Sequence, residues 1–485
     1  MQLQGLHHIT MITADAQGTV DFYASLLGLR LVKKTVNFDA PEAYHLYFGD
    51  EAGSPGSLLT WFEFEGAAPG TAGAGMIHRL QLAVPDAAAL DFWADRLSAA
   101  GVDTQRPGDG GALRFTDRDG LGLELVLAAD GEPPLRAQHP DIPEQHAIVG
   151  LAGARAYAGA ELGADADLLT ETLGFTALGD GAYRLDGAER SFGWAYDHPP
   201  GRGVPGAGTV HHIAWHSRDE DHAAWQDHIH GTGLHVTSLI DRDYFSALYF
   251  RQPQGILFEI ATTSPGFAVD EDAAHLGEAL RLPPQHEHLR DHLEHALRPV
   301  VNPRAVLHGD ASAAVAPPSA EPFDPDAPQV VAAPDASSLP LDPDQLPDDP
   351  FPEEAPEDGM PAPKPLELRA VRNRLLDVHR RLLQTQQLEV EHATGRKMSP
   401  HEVLAAAMSD PRFAWLRELS ALITQIDEAV ADKDRDPAEA RVLGERVRTL
   451  LGPPNPATDF GARYLRAMQA NPDVILAHRD LSALL

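Results

Sequence analysis

Two segments near opposite ends of the first 300 residues, LHHITMIT at 6–13 and VHHIAWHS at 210–217, begin alike and decide the fold. Two related segments lie between them, MIHRLQLAV at 76–84 and HAIVGLAGA at 146–154. Each of the four precedes an amphipathic stretch that ends in a glycine, as helices often do, and then runs rich in aromatic and β-branched residues. The repeat predicts an α+β fold in which four βαβββ modules form two curved mixed sheets.

The composition changes after residue 303. From residue 307 to 365 the chain has 15 of its 40 prolines, and 13 acidic residues are opposed by Lys364 alone. Such a stretch buries too little apolar surface to fold. We therefore assign modules one and two to residues 1–140 and modules three and four to 141–303. We expect a disordered linker at 304–365, and the helical periodicity of 366–485 predicts a small all-α bundle of unknown role.

The charge balance excludes several classes of function. The chain has 38 basic and 72 acidic residues, a formal charge of −34, which disfavours nucleic acids and anionic membranes as partners. The absence of cysteine excludes disulfides, thiolate nucleophiles and cysteine-ligated metals. The first residues have no signal-peptide pattern, so we expect a cytoplasmic protein.

Alignment of the four modules separates residues that the scaffold requires from those that it does not. At the position of the second histidine, the modules carry His8, Arg79, Ala147 and His212 in chain order. In the closing strands, modules one, two and four carry Thr60, Glu124 and Glu259 at one shared position. Because the fold tolerates such different residues, the histidines and Glu259 are available for a site. We expect Glu124 to form a buried ion pair with Arg79.

Three of these residues suit a metal ion. His8, His212 and Glu259 would form a 2-His-1-carboxylate set, which leaves positions open on Fe(II) for a substrate and O₂. An ionised Glu259 in the apolar run ILFEIA also needs a metal or an arginine partner. Packing histidines inherited by repetition are the alternative. A rival glyoxalase-like set of His8, Glu63, His78 and Glu124 is out of register in the alignment.

The ordered blocks LHHIT, AYHLYFGDEAGSPG, VHHIAW, DRDYFSALYFRQPQGILFE and PGFAVDED resemble the vicinal oxygen chelate superfamily. The similarity, over about residues 3–300, is to its ring-cleaving dioxygenases of the hydroquinone 1,2-dioxygenase type. It implies that His8, His212 and Glu259 bind Fe(II), or Mn(II) in its place. It also implies pocket roles for His7, Arg242 and Tyr249. The helical C-terminal region resembles an uncharacterised bacterial family.

Each pocket residue has a second interpretation. Tyr249 either hydrogen-bonds the substrate or packs in the core, and Arg242 either orients an anionic group or pairs with a neighbouring aspartate. His7 should face away from His8 on a regular strand, so a pocket role requires a bulge or a supporting position behind the ligands. We expect His45 to support a sheet.

The expected reaction is O₂-dependent, extradiol-type cleavage of a hydroquinone- or catechol-like aromatic diol. A glyoxalase-type isomerase or lyase using Ni or Zn is one alternative, and a non-catalytic binder of aromatic compounds is the other. The expected partners are the diol and O₂, with neither nucleic acid nor membrane, and a homo-oligomer is left open.

Overall fold

The architecture comes from a computed structural model of the 485-residue chain. It describes residues 1–307 except 39 and 109, residues 368–470 except 395, 432–436 and 453–457, and residues 474, 477, 478, 481, 482 and 484. Most of the predicted linker, residues 304–365, therefore lies outside the described residues.

Two curved mixed sheets form the first 300 residues. Among the described residues the strands are β1 Gly5–Thr13, β2 Arg30–Asn37, β3 Ala40–Gly49, β4 Leu58–Glu63, β5 Ile77–Val84, β6 Ala112–Thr116, β7 Gly122–Leu127, β8 Leu151–Tyr157, β9 Thr176–Gly179, β10 Ala182–Asp186, β11 Ser191–Asp197, β12 Val210–His216, β13 Ile240–Asp241, β14 Ser246–Arg251 and β15 Leu257–Ala261. One sheet has the order β13-β14-β15-β12-β1-β4-β3-β2 and the other β6-β7-β5-β8-β11-β10-β9. The predicted fold class is confirmed.

Helices complete the modules and form the C-terminal region. The helices are α1 Ala16–Val20, α2 Ala87–Ala99, α3 His222–Gly231, α4 Arg290–Ala296, α5 Pro303–Leu307, α6 Leu368–Thr394, α7 Pro400–Ser409, α8 Arg417–Ala431, α9 Pro437–Leu451 and α10 Asp459–Ala470. The C-terminal helices share a hydrophobic core of their own. None of the described helices has the length and hydropathy to span a membrane.

The sheet order places modules one and four in one sheet and modules two and three in the other. Strands β1 and β12 are antiparallel neighbours at the centre of the first sheet. This pairing brings the two HH sequences together although about 200 residues separate them. Each sheet takes strands from both halves of the domain, and the boundaries at 140/141 and 303/304 stay predictions.

Side chains along β12 point alternately to the face of the sheet that the helices cover and to the concave face. Ile213 and Trp215 are fully buried in the large core that packs under the helices. Ala214 belongs instead to a second cluster with Phe245 and Tyr249 on the opposite face. The residues with chemistry therefore lie on the concave face, in a surrounding of aromatic side chains.

The third module corrects one part of the alignment. Its first strand is β8, and Ala147 directly follows a 3₁₀ turn at Glu144–His146. Gln81 lies opposite Gly153 in the second sheet, as Thr10 lies opposite His212 in the first. The expected equivalence of Ala147 with His212 is therefore wrong, because the strand starts later than the sequence HAIVG suggests.

Candidate metal centre

Two β-bulges shape the centre of the first sheet. Across the β1–β12 ladder Leu6 pairs with Trp215 and His8 with Ala214, so His7 is an extra residue in β1. Thr10 pairs with His212 and Met11 with Val210, so His211 is the extra residue in β12. A bulge interrupts strict alternation and redirects side chains. The bulge that a pocket role of His7 requires is therefore present.

The bulges bring consecutive histidine rings into contact. His7 Nδ1 lies 2.9 Å from His8 Nδ1, and His211 Nδ1 lies 2.7 Å from His212 Nδ1. Each pair of nitrogens shares one proton in a hydrogen bond. The Nδ1 atoms of His8 and His212 are thus engaged, which leaves their Nε2 atoms to face the concave side.

The Nε2 atoms converge with the carboxylate of Glu259. His8 Nε2 is 3.1 Å from His212 Nε2 and 3.5 Å from Glu259 Oε2, while His212 Nε2 is 2.8 Å from the same oxygen. Among the described residues this is the one group of three or more histidine and acidic side chains arranged closely enough to hold a metal ion. The structure therefore brings together the three residues that the sequence proposes as ligands.

Glu259 is fully buried, and neither of its oxygens accepts a hydrogen bond from the described residues. The short approach of His212 Nε2 does not have the direction of a hydrogen bond. Burial acts to raise the pKa of Glu259, but the adjacent His8 and His212 rings outweigh it and the pKa lies well below its ordinary value. A buried, ionised carboxylate without hydrogen bonds needs a cation.

The donor set fits such a cation. When the Nδ1–H of His212 donates to His211 Nδ1, its Nε2 keeps a lone pair that a metal ion can accept. Ligand atoms about 2.1 Å from a metal and about 90° apart lie about 3.0 Å from each other, close to the three separations in the site. Two neutral imidazoles and one carboxylate are typical of Fe(II) sites with open positions, although the same donors accept other divalent ions.

His7 and His211 each contact one of the two candidate ligand histidines. Burial lowers the pKa of both rings well below the ordinary value, and the adjacent ligand histidine lowers it further. Both rings are therefore neutral and can accept a hydrogen bond from the ligand's Nδ1–H. Partners of this kind fix the tautomer and orientation of a metal-binding histidine.

Tyr249 and Arg242 form one wall of the site. Tyr249 is buried directly opposite Glu259 on β14, and its ring lies 5.7 Å from that of His212. Arg242 Nε donates to the Tyr249 hydroxyl oxygen at 3.3 Å, and the guanidinium lies over the rings of Tyr249 and Phe38. The structure thus places both residues beside the centre.

His45 lies on the same concave face, and its cross-strand hydrogen bond to Thr60 agrees with the expectation that it supports a sheet. Its Nε2 lies 3.0 Å from Thr60 Oγ1, which is 2.8 Å from Thr10 Oγ1, which is 2.9 Å from His212 Nε2. The Tyr47 hydroxyl lies 2.9 Å from the other nitrogen, His45 Nδ1. A buried hydrogen-bonded chain therefore runs from the candidate metal centre to His45, and the sequence motif gave no signal of it.

The second sheet carries no equivalent centre among its described residues. Glu124 accepts hydrogen bonds from Arg114 at 2.5 Å and from Gln81 at 2.7 Å. The expected Arg79–Glu124 ion pair is wrong, because Arg114 is the residue directly opposite Glu124 on the neighbouring strand. His78 bonds Asp197 instead, which leaves the rival glyoxalase-like set divided between the two sheets.

Comparison with known proteins agrees with this geometry. The sequence pattern of the Glyoxalase/Bleomycin resistance protein/Dioxygenase superfamily matches residues 5–125 and 157–260. A Bacillus subtilis protein named ring-cleaving dioxygenase MhqO is 43% identical over 302 residues, covering 61% of this chain and 96% of the relative. The chlorohydroquinone/hydroquinone 1,2-dioxygenase of Sphingobium indicum is 35% identical over 313 residues, covering 60% and 95%.

A solved structure shares the fold. The crystal structure of a Bacillus subtilis protein described as a dioxygenase is 41% identical, with a TM-score of 0.58. It covers 62% of this chain and 98% of its own. The matched part of this chain contains the bulged strands, and the superfamily pattern ends at residue 260, before the C-terminal helices.

Proposed function

This chain belongs to the Glyoxalase/Bleomycin resistance protein/Dioxygenase superfamily and to its ring-cleaving dioxygenases. From that premise we propose that it cleaves the ring of a hydroquinone- or catechol-like aromatic diol with O₂, in the extradiol manner. The ion we propose is Fe(II), with Mn(II) as the alternative, held by His8, His212 and Glu259. The observation that carries the proposal is the convergence of these three ligand atoms within 4.8 Å.

When bound, Fe(II) supplies adjacent positions for the diol oxygen and O₂ and a path for electrons between them. The chain's own contribution begins with the exclusion of water. The three ligands are at most 4% exposed, and the Phe245 ring lies 5.1 Å from His7 and 5.4 Å from His8. A dry surrounding strengthens every electrostatic interaction with the reacting groups.

We assign proton transfer from the substrate hydroxyl to the chain that ends at His45. Burial lowers the pKa of His45 well below its ordinary value, and the nearby His8 and His212 rings lower it further. The imidazole is therefore neutral and can accept a proton. When His45 Nδ1–H donates to the Tyr47 hydroxyl oxygen, His45 Nε2 accepts a hydrogen bond from the Thr60 hydroxyl. The hydroxyls of Thr10 and Thr60 can then each take up one proton while giving up another.

We assign Tyr249 and Arg242 roles in binding the substrate and the oxygen atoms. The Tyr249 oxygen accepts from Arg242 Nε, and we assign its hydroxyl the role of hydrogen-bond donor to a substrate or oxygen atom in the site. The guanidinium keeps its charge at all accessible pH values and can stabilise negative charge that develops on oxygen. We place both in catalytic roles, and His7 in the orientation of His8.

The test is O₂ consumption by the chain loaded anaerobically with Fe(II) and supplied with hydroquinone. We expect uptake with both atoms of ¹⁸O₂ in the ring-cleaved product, and none in His212→Ala. The control is His78→Ala, which removes the bulge histidine of the second sheet. Conversion without O₂ would indicate isomerase chemistry, and uptake that survives His212→Ala would refute the proposed centre.

A further inference from the structure

The concave face of the second sheet carries a cationic group at the position that a metal-binding histidine has in the first. On β5 the ladder with β8 skips His78, as the ladder of β1 skips His7. Arg79 therefore occupies the place of His8. Glu124 pairs across β5 and β7 as Thr60 does across β1 and β4, which confirms the predicted equivalence of these two positions.

The groups around Arg79 are already paired with each other. Arg155 makes a two-pronged ion pair with Asp197 at 2.8 and 2.6 Å, and His78 Nε2 lies 2.8 Å from the same carboxylate. On the other side, Arg114 and Gln81 occupy the two oxygens of Glu124. Neither carboxylate accepts a hydrogen bond from Arg79 among the described contacts.

Arg79 has no hydrogen bond or ion pair with any of the described residues. Its side chain is half-buried, and burial lowers its pKa; the charges of Arg114 and Arg155 also act to lower it, while those of Glu124 and Asp197 act to raise it. A guanidinium has five N–H donors in a planar fork. The charges of Arg114 and Arg155 act on this guanidinium, an arrangement that an anion would stabilise.

The local charge contrasts with that of the domain. Residues 1–307 carry 42 acidic and 20 basic side chains, whereas this face has three arginines against two carboxylates. One monoanion would bring the face to neutrality. A flat wall stands beside it, since the rings of His78 and Tyr157 stack with centroids 3.9 Å apart.

We propose that this face binds the carboxylate of a small organic acid, with Arg79 as the two-pronged donor and the His78–Tyr157 stack against the apolar part of the ligand. The face belongs to the second sheet, so the proposal does not depend on the metal centre or on ring cleavage. A single carboxylate charge matches the single excess positive charge better than a phosphate does.

The experiment titrates the full, metal-free chain with benzoate by calorimetry, with inorganic phosphate as a second titrant at equal ionic strength. We expect one benzoate per chain, weaker binding of phosphate, and at least a tenfold loss of benzoate affinity in Arg79→Gln. Arg184→Gln is the matched control, because Arg184 lies on the same sheet in an exposed pair with Asp186 and should leave binding unchanged.

Two further variants make the result decisive. Arg79→Lys keeps the positive charge. It should bind benzoate more tightly than Arg79→Gln if the glutamine variant is folded and has lost only the binding group. Arg242→Gln should leave the benzoate affinity of the metal-free chain unchanged, since Arg242 lies in the other sheet. Absence of benzoate binding, equal affinity in wild type and Arg79→Gln, preference for phosphate, or loss of binding in Arg242→Gln would each overturn the proposal.

Discussion

Replacement of His211 by alanine should weaken metal binding although His211 is not a proposed ligand. The change removes the ring nitrogen 2.7 Å from His212 Nδ1. Because His212 is only 4% exposed, water has little access to replace that hydrogen bond. A buried polar atom left without a partner costs about 1–3 kcal/mol. This corresponds to roughly 5- to 150-fold in affinity, in line with the loss of about 10–100-fold typical of such supporting residues.

The assay is competition for Mn(II) between the chain and a chelator of known affinity, because Mn(II) resists oxidation in air. His7→Ala should give a loss of similar size through His8, and the double variant should lose more affinity than either single variant, without strict additivity because both ligands would hold the same ion. His78→Ala is the matched control, as it removes the corresponding bulge residue in the second sheet. Wild-type affinity in both His7→Ala and His211→Ala would refute the assigned supporting role.

Three further predictions concern proton transfer and stability. Tyr249→Phe should lower kcat by about 100-fold with little change in KM, as expected for loss of a proton donor, and steady-state O₂ uptake would detect this. His45→Gln, which can still hydrogen-bond Thr60 but cannot take a proton, should lower kcat in O₂ uptake while the Mn(II) affinity measured by chelator competition stays unchanged. Burial raises the pKa of Asp117 to about 6 from 3.8, so the fold should lose about 2.5 kcal/mol as pH rises from 4 to 8. In Asp117→Asn that contribution should vanish, and a pH-independent difference in unfolding free energy between variant and wild type would contradict it.

The sequence predicted which three side chains converge better than it predicted their surroundings. Comparison of modules identified His8, His212 and Glu259 because different residues at equivalent positions reveal what the fold does not require. The same comparison could not show the bulges at His7 and His211, since a bulge depends on how two strands pair. The sequence therefore left the place of His7 open.

Two contacts that the sequence did not predict have a common physical cause. The partner of Glu124 was assigned to Arg79 on the parallel neighbour β5, whereas Arg114 on the antiparallel neighbour β6 is directly opposite. The pattern of β3 alone also does not show that His45 bonds Thr60 on the next strand. Both depend on the cross-strand register, which the pattern along one strand does not contain.

The most direct test of the account is metal content. Wild-type chain and the variants His8→Ala, His212→Ala and Glu259→Ala, with His78→Ala as the control, would be reconstituted with Fe(II) without oxygen, desalted and quantified. We predict one iron per chain in wild type and His78→Ala, and less than a tenth of that in each of the other three. Retention of a full equivalent of iron by the three ligand variants would contradict the central claim.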